Sequence, residues 1–359
     1  MNFKVHPEFK LNGKIYSEKN LLDFAQELSN ADTVFEQETG SFIVDFLNEK
    51  DTILVQTSGS TGTPKKIEVG KQQMLNSAEA TGNFFDLPPK TTAILCMPVS
   101  YIAGKLMLVR AMHLGWQLDT YTPAGNPLKN VDKTYDFAAM TPFQVARSLK
   151  NLYKIKKLII GGGAIATSLR KKLQEVSTII YETYGMTETL THIAAKKVNH
   201  KQAKEEVPFT VLPNVEISQN KENCLCIYAP KVNPGKIQTT DVIELVDKQH
   251  FYWKGRADNV INSGGVKIHP EEVERKLSKI LSRRFFIAGL PNQDLGEKVV
   301  LFMEGLPEKE NKNNLENKIK ELPSLKKYEI PKAIIWLKTF EETHTGKINR
   351  PKTIQKIEQ

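Results

Sequence analysis

The chain has 359 residues, of which 40% are hydrophobic and 25% charged, and its formal net charge is +9. Such a composition is typical of a globular protein with two or three domains. The polar N-terminus predicts no signal peptide, no apolar run is long enough to cross a bilayer, and the three cysteines form no disulfide framework or metal-ligand set. We therefore expect a cytoplasmic protein without membrane insertion. The basic charge alone does not indicate nucleic-acid binding, because no zinc finger, RNA-binding aromatic signature or DNA-reading helix accompanies it.

Short apolar runs alternate with helical periodicity in the first half of the chain. This alternation predicts a large layered α/β domain with a substantially parallel sheet. The predicted strands cover 52–55, 92–97, 157–160 and 178–181, and the predicted helices cover 105–114 and 167–176.

From about Asn214 the pattern changes to short strands with turns, at 224–228, 242–245 and 251–253, which predicts a small β subdomain. A helix is expected to open at Pro270, since proline is favoured in the first turn. The remainder predicts a small, mobile α+β C-terminal domain. We place the boundary so that the two domains are 1–257 and 258–359.

The most informative segment is a loop between two expected strands, 53–56 and 66–69. Glycines let backbone N–H groups approach a polyphosphate, hydroxyls donate hydrogen bonds, and a lysine supplies positive charge. The Walker loop of P-loop NTPases is disfavoured, because its second glycine would fall on Pro64 and a strand rather than a helix follows. The loop reads Thr57-Ser58-Gly59-Ser60-Thr61-Gly62-Thr63-Pro64-Lys65-Lys66.

This loop resembles the phosphate-binding signature of the adenylate-forming superfamily, which includes acyl-CoA synthetases, luciferases and peptide-synthetase adenylation domains. Further segments resemble the other motifs of that family, in the same order. They are Gly161-Gly162-Gly163-Ala164-Ile165, Tyr184-Gly185-Met186-Thr187-Glu188-Thr189, Thr240-Asp241, Gly255-Arg256-Ala257-Asp258 and Gly346-Lys347-Ile348-Asn349-Arg350.

The resemblance implies a nucleotide site. Residues 57–65 would hold the β- and γ-phosphates of ATP, and Mg²⁺ would bridge them with support from Glu188, since a hard cation prefers oxygen ligands. The 161–164 turn would lie beside the adenine. Asp241 would accept both ribose hydroxyls, and Arg256 would contact the ribose or a phosphate.

The resemblance also implies the chemistry. A carboxylate is a poor electrophile, and attack on the α-phosphate of ATP converts it into a mixed anhydride with AMP as leaving group. The enzyme must bring two anions together and stabilise the charge that develops. Thr187 would hydrogen-bond the α-phosphate, and Lys347 would bridge the α-phosphate and the reacting carboxylate.

A second half-reaction would deliver the thiol of coenzyme A to the same carbonyl. In the family the C-terminal domain rotates at a hinge, and Asp258 stands at the matching position. Gly264, Gly265 and Lys267 would then line the pantetheine channel. An ordinary turn into the Pro270 helix is the alternative interpretation of that segment.

For the acid substrate, the segments around Tyr101, Thr141 and 185–194 most resemble o-succinylbenzoate–CoA ligases of menaquinone biosynthesis. That acid has two carboxylates, so one is activated and the other only held. Lys105 and Arg110 lie about 140° apart around a helix, so one of them could reach the pocket. We favour Arg110, whose planar fork suits a carboxylate, over the alternative of an arginine paired with a nearby acid.

Several alternatives stay open at this point. The chain could be another aryl- or acyl-CoA ligase, a stand-alone adenylation enzyme that loads a carrier protein, or a non-catalytic nucleotide-binding relative. Only about fifty residues precede the phosphate loop, so part of the usual N-terminal subdomain is expected to be missing. A homodimer is an expectation that this shortening puts in doubt.

Overall fold

A computed structural model of the protein describes residues 3–56, 66–199, 207–306, 312–342 and 348–357. The strands and helices up to residue 199 are β1 Lys10–Leu11, β2 Lys14–Ile15, α1 Glu18–Leu28, α2 Val34–Leu47, β3 Thr52–Gln56, β4 Lys66–Gly70, α3 Lys71–Phe84, β5 Thr92–Leu95, α4 Ile102–Leu114, β6 Gln117–Thr120, β7 Tyr135–Met140, α5 Pro142–Ser148, β8 Ile155–Ile160, α6 Thr167–Leu173, β9 Ile179–Gly185 and β10 His192–Lys197. The later ones are β11 Phe209–Val211, β12 Glu216–Gln219, β13 Cys224–Ala229, β14 Asn233–Leu245, β15 His250–Arg256, β16 Ile261–Ser263, β17 Val266–Ile268, α7 Pro270–Leu277, β18 Phe285–Asn292, β19 Gly296–Glu304, α8 Lys312–Lys320, β20 Ala333–Leu337 and α9 Arg350–Gln355.

The larger sheet has thirteen strands in the described part of the chain, in the order β12-β13-β14-β15-β11-β10-β9-β8-β7-β5-β6-β1-β2. Its middle is parallel, from β1 through β6, β5, β7 and β8 to β9. From β10 onwards the pairs are antiparallel. The predicted α/β class with a substantially parallel sheet is confirmed.

Helices cover both faces of the parallel strands. Since alternate residues of a strand point to opposite faces, each strand contributes side chains to two cores. In β7, Phe137 and Ala139 belong to the apolar core that also contains residues of α2, α3 and α4. Ala138 and Met140 belong to the second core, which contains Val145 of α5 and residues of α6. The result is a three-layer domain.

Two strand assignments differ from the expectation. Strands β3 and β4 pair only with each other, as an antiparallel hairpin outside the large sheet. The strands of the expected β subdomain have a core of their own, around Phe209, Leu225 and Phe251, but they continue the large sheet through β10 and β11. Apolar patterning predicts each strand, whereas its neighbour in the sheet depends on contacts distant in sequence.

The N-terminal residues form a cover over one face of the large sheet. Phe9, Phe42 and Phe46 are buried in the same core as α3 and α4. Within this cover, α1 and α2 approach closely at Gly40, where an added Cβ would lie 2.5 Å from the carbonyl oxygen of Ala25. This cover occupies part of the space over the sheet.

A second sheet of five strands contains only residues from Ile261 onwards, with α7 and α8 on one side and α9 on the other. The helix expected at Pro270 is confirmed as α7. The predicted domain boundary at 257/258 falls between the two sheets, and independent movement of the two parts stays a prediction. Within the described ranges, none of the helices combines the length and apolar character that a bilayer crossing requires.

Candidate active site

The carboxyl ends of the parallel strands bring three of the predicted segments to one edge of the sheet. Strand β7 ends just before Thr141, β8 ends just before the glycine turn at Gly161, and β9 ends in Tyr184 and Gly185. Ligands of open α/β sheets bind outside this edge. The predicted adenine turn and the predicted hexapeptide are therefore neighbours.

The glycine turn has a structural reason for its composition. Gly161 N–H donates to the carbonyl of Met140 at 3.2 Å, and a Cβ on Gly161 would lie 2.8 Å from Thr183 Oγ1. Gly162 has φ +80°, which glycine adopts without strain. Gly162, Gly163 and Ala164 are exposed, so their backbone is accessible to a ligand.

Asp241 lies within hydrogen-bond distance of the hexapeptide. Its Oδ2 accepts from Tyr184 Oη at 2.6 Å, and its Oδ1 accepts from Trp253 Nε1 at 3.0 Å. Burial, followed by the charge of Asp241, raises the pKa of Tyr184 far above its usual range, so the phenol stays a donor. Each carboxylate oxygen keeps a lone pair, which leaves Asp241 able to accept further hydrogen bonds.

Sequence reasoning missed Trp253. A β-bulge between Val242 and Ile243 shifts the register, so that Ile243 rather than its neighbour stands opposite Trp253. The bulge places Trp253 on the same face as Asp241. The aromatic pattern of 251–253 indicated a strand, but a bulge cannot be derived from that pattern.

Arg256 stands directly opposite Asp241 in the β14–β15 pair. Its Nη2 donates to Thr240 Oγ1 at 2.7 Å and to Asp258 Oδ2 at 2.8 Å. Arg256, which was predicted to contact the ribose or a phosphate, thus forms an ion pair with Asp258, the predicted hinge residue. Asp258 is exposed, as a residue at a junction between two sheets can be.

Thr187 and Glu188 follow β9 in a short 3₁₀ helix, Thr187–Thr189. The side chain of Thr189 fixes this turn, because its Oγ1 donates to Thr191 O at 2.7 Å and accepts from Met186 N–H at 3.0 Å. The carbonyl of Glu188 accepts from Asn233 Nδ2 at 3.0 Å. Glu188 is exposed, so its carboxylate is available to a ligand.

Two predicted parts of the site lie outside the described residues. One is the phosphate loop, Thr57 to Lys65, and the other is Lys347. The residues on either side of the segment that contains Lys347 are described. Glu342 and Ile348 form an antiparallel bridge, and Asn349 N–H donates to the carbonyl of Glu341 at 2.7 Å. The roles of the loop and of Lys347 stay predictions.

Arg110 lies inside the protein on α4, with 2% of its surface exposed. Its Nη2 donates to Thr191 Oγ1 at 3.2 Å, and its Nη1 approaches the sulfur of Met107 at 3.6 Å. Its Nε has no hydrogen-bond partner, and no acidic side chain of the described residues pairs with it. Burial lowers the pKa of Arg110 to about 9, so the guanidinium is charged at neutral pH.

Lys105 points to a different part of the protein. Its Nζ lies 4.8 Å from the ring centre of Phe42 in α2. Burial lowers the pKa of Lys105, and Glu38 and Asp45 oppose that shift. Lys105 therefore has acidic neighbours in the N-terminal cover, whereas Arg110 has none among the described residues.

His192, three positions beyond the hexapeptide, was assigned no role of its own by sequence reasoning. It is 7% exposed, and its Nε2 lies 3.3 Å from Thr81 Oγ1. Burial, with the charge of Arg110, lowers the pKa of His192 well below its usual value. The sequence signal was a histidine in an apolar strand, which by itself is most often a core residue.

The remaining predicted contacts have local structural roles. Thr141 Oγ1 accepts from Gln144 N–H at 3.3 Å and caps α5, and Tyr101 precedes the first residue of α4 with 36% of its surface exposed. Gly264 and Gly265, at φ +58° and +80°, form the turn between β16 and β17. They and Lys267 are exposed. Their substrate and coenzyme A contacts stay predictions.

Comparison with known proteins identifies the family. The profile of the AMP-binding enzyme family, described as "AMP-binding enzyme", matches residues 8–236. This match covers more than half of the chain. The chain belongs to the AMP-binding enzyme family.

Individual relatives are consistent with this assignment. A 2-succinylbenzoate–CoA ligase from Haemophilus influenzae is 27% identical over 266 residues, which cover 69% of this chain and 58% of that protein. The match to the corresponding ligase of Lactococcus lactis covers 86% of this chain and 72% of that protein at 24% identity. The chain thus spans little more than half of the Haemophilus relative.

Solved structures show the same fold. An acyl-CoA synthetase (AMP-forming)/AMP-acid ligase II-like protein from Dyadobacter fermentans has a TM-score of 0.62 at 33% identity, over 93% of this chain and 98% of that one. The two chains are therefore similar in length. The o-succinylbenzoate coenzyme A synthetase of Bacillus subtilis in complex with ATP and magnesium ion has a TM-score of 0.73 at 19% identity, over 96% and 83%.

Proposed function

We propose that the protein is an AMP-forming acid–thiol ligase, which activates o-succinylbenzoate with ATP and passes the acyl group to coenzyme A. Such a reaction is a step of menaquinone biosynthesis, and we place it in the cytoplasm, where ATP and coenzyme A are available. The observation that carries the proposal is the contact of Asp241 with Tyr184, which joins two motifs distant in sequence at the ligand-binding edge of the sheet. The names of the relatives support the same activity.

In this proposal ATP lies along the open strand ends. The exposed backbone of Gly162 and Gly163 borders the adenine, and Asp241 accepts the ribose hydroxyls through its free lone pairs. Tyr184 and Trp253 hold that carboxylate in one orientation, which avoids an entropic cost at binding. Residues 57–65 complete the phosphate site.

Glu188 would support the Mg²⁺ that accompanies ATP. Its exposed carboxylate follows the hexapeptide turn, and oxygen ligands suit this hard cation. When bound, Mg²⁺ supplies positive charge to the polyphosphate. Thr187, the residue before Glu188, is available to hydrogen-bond the α-phosphate, and Lys347 would bring the acid carboxylate to it.

The second carboxylate of the substrate would be held by Arg110. A buried guanidinium without a counter-charge is costly, and an anionic group of the ligand would remove that cost. Lys105 has acidic neighbours in α2 and is the weaker candidate. This contact would favour an acid with two carboxylates over an acid with one.

The test is pyrophosphate release measured across a panel of aromatic and aliphatic acids, followed by thioester formation with coenzyme A. We expect o-succinylbenzoate to be preferred over benzoate by at least tenfold in kcat/KM. Adenylation without a thioester product would instead support a stand-alone adenylation enzyme. Equal rates with both acids would contradict the assignment of Arg110, and an absence of pyrophosphate release with every acid would contradict the proposed activity.

A further inference from the structure

Within the described residues, the side chains that bond to Arg110 are neutral. Thr191 Oγ1 accepts from Arg110 Nη2 and lies 3.3 Å from Ser77 Oγ. His192 and Thr81 form the next contact in the same buried region, at 3.3 Å. Proteins usually pair a buried arginine with a carboxylate. Here the hydroxyl of Thr191 takes the place that a carboxylate usually occupies, and His192 follows Thr191 in the chain.

The hydrogen bonds of Thr81 assign the tautomer of His192. Thr81 has one hydroxyl proton, and it donates that proton to the carbonyl of Ser77 at 2.9 Å. Thr81 Oγ1 must therefore accept in its contact with His192, so Nε2 of the imidazole carries the hydrogen. In the neutral ring, Nδ1 is then left with a lone pair.

The position of His192 keeps its ring uncharged. The imidazole is buried against Phe85, with ring centres 5.7 Å apart, and Arg110 is the charged group that acts on it. Both burial and that charge lower the pKa of His192 well below its usual value. The ring thus neither adds charge beside the arginine nor neutralises it.

Space is available beside the ring for a different side chain. His192 lines a cavity of about 80 Å³ together with Asn76, Ser77 and Asn83. The cavity leaves room for a glutamate or glutamine side chain at this position. Position 192 is therefore not restricted to histidine by packing alone.

We infer that His192 is a specificity-determining residue, which keeps the charge of Arg110 available to an anionic group of the acid substrate by filling, as a neutral donor, a place where a carboxylate would neutralise it. The inference rests on the proposed function and adds a residue that determines its specificity for an acid with a second anionic group besides the carboxylate that is activated. The residue acts through Arg110 and has no part in the reaction itself.

The test compares His192→Glu with His192→Gln, which match in size and differ in charge. We expect the glutamate variant to raise the KM for o-succinylbenzoate at least 30-fold, while kcat for this acid and kcat/KM for benzoate change less than threefold. The glutamine variant should keep the KM within about fivefold of the wild type. Similar KM values in the two variants, with both folded by circular dichroism, would overturn the inference.

A double-mutant cycle removes the ambiguity of a damaged fold. In an Arg110→Met background, His192→Glu and His192→Gln should give equal KM values for o-succinylbenzoate, because the charge that glutamate would neutralise is gone. A 30-fold difference that persists in this background would also overturn the inference. If the wild type prefers another acid with a second anionic group, the proposed substrate fails and the variants are compared with that acid. A wild type that prefers acids with a single carboxylate would overturn the inference as well.

Discussion

At the scale of single residues, the chemistry of the site depends on side chains whose orientation is fixed by neighbours. Asp241 is held by Tyr184 and Trp253. Arg110 has only neutral partners in the described part of the chain. Asp241 is therefore held in one orientation before any ligand binds. Arg110 has no counter-charge among its partners, and in the proposed site an anionic ligand would supply one.

We expect Asp241→Ala to lower kcat/KM for ATP by on the order of 10- to 100-fold, because charge-assisted hydrogen bonds contribute roughly 1.5–3 kcal/mol. The measurement is ATP–pyrophosphate exchange at saturating acid. Tyr184→Phe is the comparison, since it removes one hydrogen bond to the carboxylate and keeps the charge. A smaller loss for Asp241→Ala than for Tyr184→Phe would contradict the ribose assignment.

We expect Arg110→Met to abolish the preference for o-succinylbenzoate over benzoate, with a loss of roughly 30-fold or more, as for truncation of a buried charged contact. Stability should not fall, because methionine fills a similar volume and removes an unpaired buried charge. Steady-state kinetics and urea unfolding measure the two effects. Lys105→Met serves as control. A larger change of preference in that variant would indicate that Lys105, rather than Arg110, holds the second carboxylate.

At the scale of secondary-structure elements, most of the predicted strands and helices are present. The neighbours against which they pair and pack could not be predicted from the sequence. Apolar runs gave β5, β8 and β9, and the expected helix at 167–176 ends earlier, at Leu173. Lys105 faces α2, where its Nζ lies over the ring of Phe42, whereas Arg110 faces Thr191. The Trp253 contact depends on a bulge in β14–β15. Both are set by packing between elements, which the sequence pattern does not contain.

In the C-terminal part, α7, β18 and α9 meet at a buried group of charges. Glu274 accepts from Ile287 N–H at 2.7 Å and pairs with Arg350 at 2.9 Å. Arg350 also pairs with Glu271 at 3.4 Å. Burial raises the pKa of Glu274 to about 7 against the opposing charge of Arg350, and Glu271 adds to the rise.

This pKa makes the stability of the C-terminal part depend on pH. A carboxyl whose folded-state pKa is raised contributes stability that is present below its unfolded value of 4.5 and is lost as pH rises through about 7. We expect the free energy of unfolding of the wild type, relative to that of Glu274→Gln, to fall by up to about 3 kcal/mol between pH 5 and pH 8. Thermal unfolding of both proteins measures the difference. Parallel melting curves for the two proteins across this range would contradict the assignment.

At the scale of the whole molecule, the N-terminal cover is part of the core of the large domain. Phe46 is 1% exposed and contacts Phe3 and Phe42 at ring distances of 5.1 and 5.8 Å. The cover also holds α3, because Lys71 Nζ donates to the carbonyl of Asn48 at 2.6 Å. These residues thus close one face of the sheet.

We expect Phe46→Ala to destabilise the protein by roughly 3–5 kcal/mol, as for other large-to-small changes in a core. Urea unfolding followed by tryptophan fluorescence measures the change. Val34→Ala on the same helix is the control, because Val34 is 69% exposed and should shift stability by only about 0.5 kcal/mol. Equal effects of the two substitutions would show that the cover is not part of the cooperative core.

The parallel pairing of β1 with β6 has a consequence for synthesis. Asn12, just after β1, bonds to Thr120, 108 positions later. During translation the segment around Phe9 is therefore made long before the strand beside which it docks. Pairings between distant segments slow folding and prolong exposure of apolar surface. A nascent chain paused before residue 118 would be a natural client for a chaperone that shields aromatic side chains.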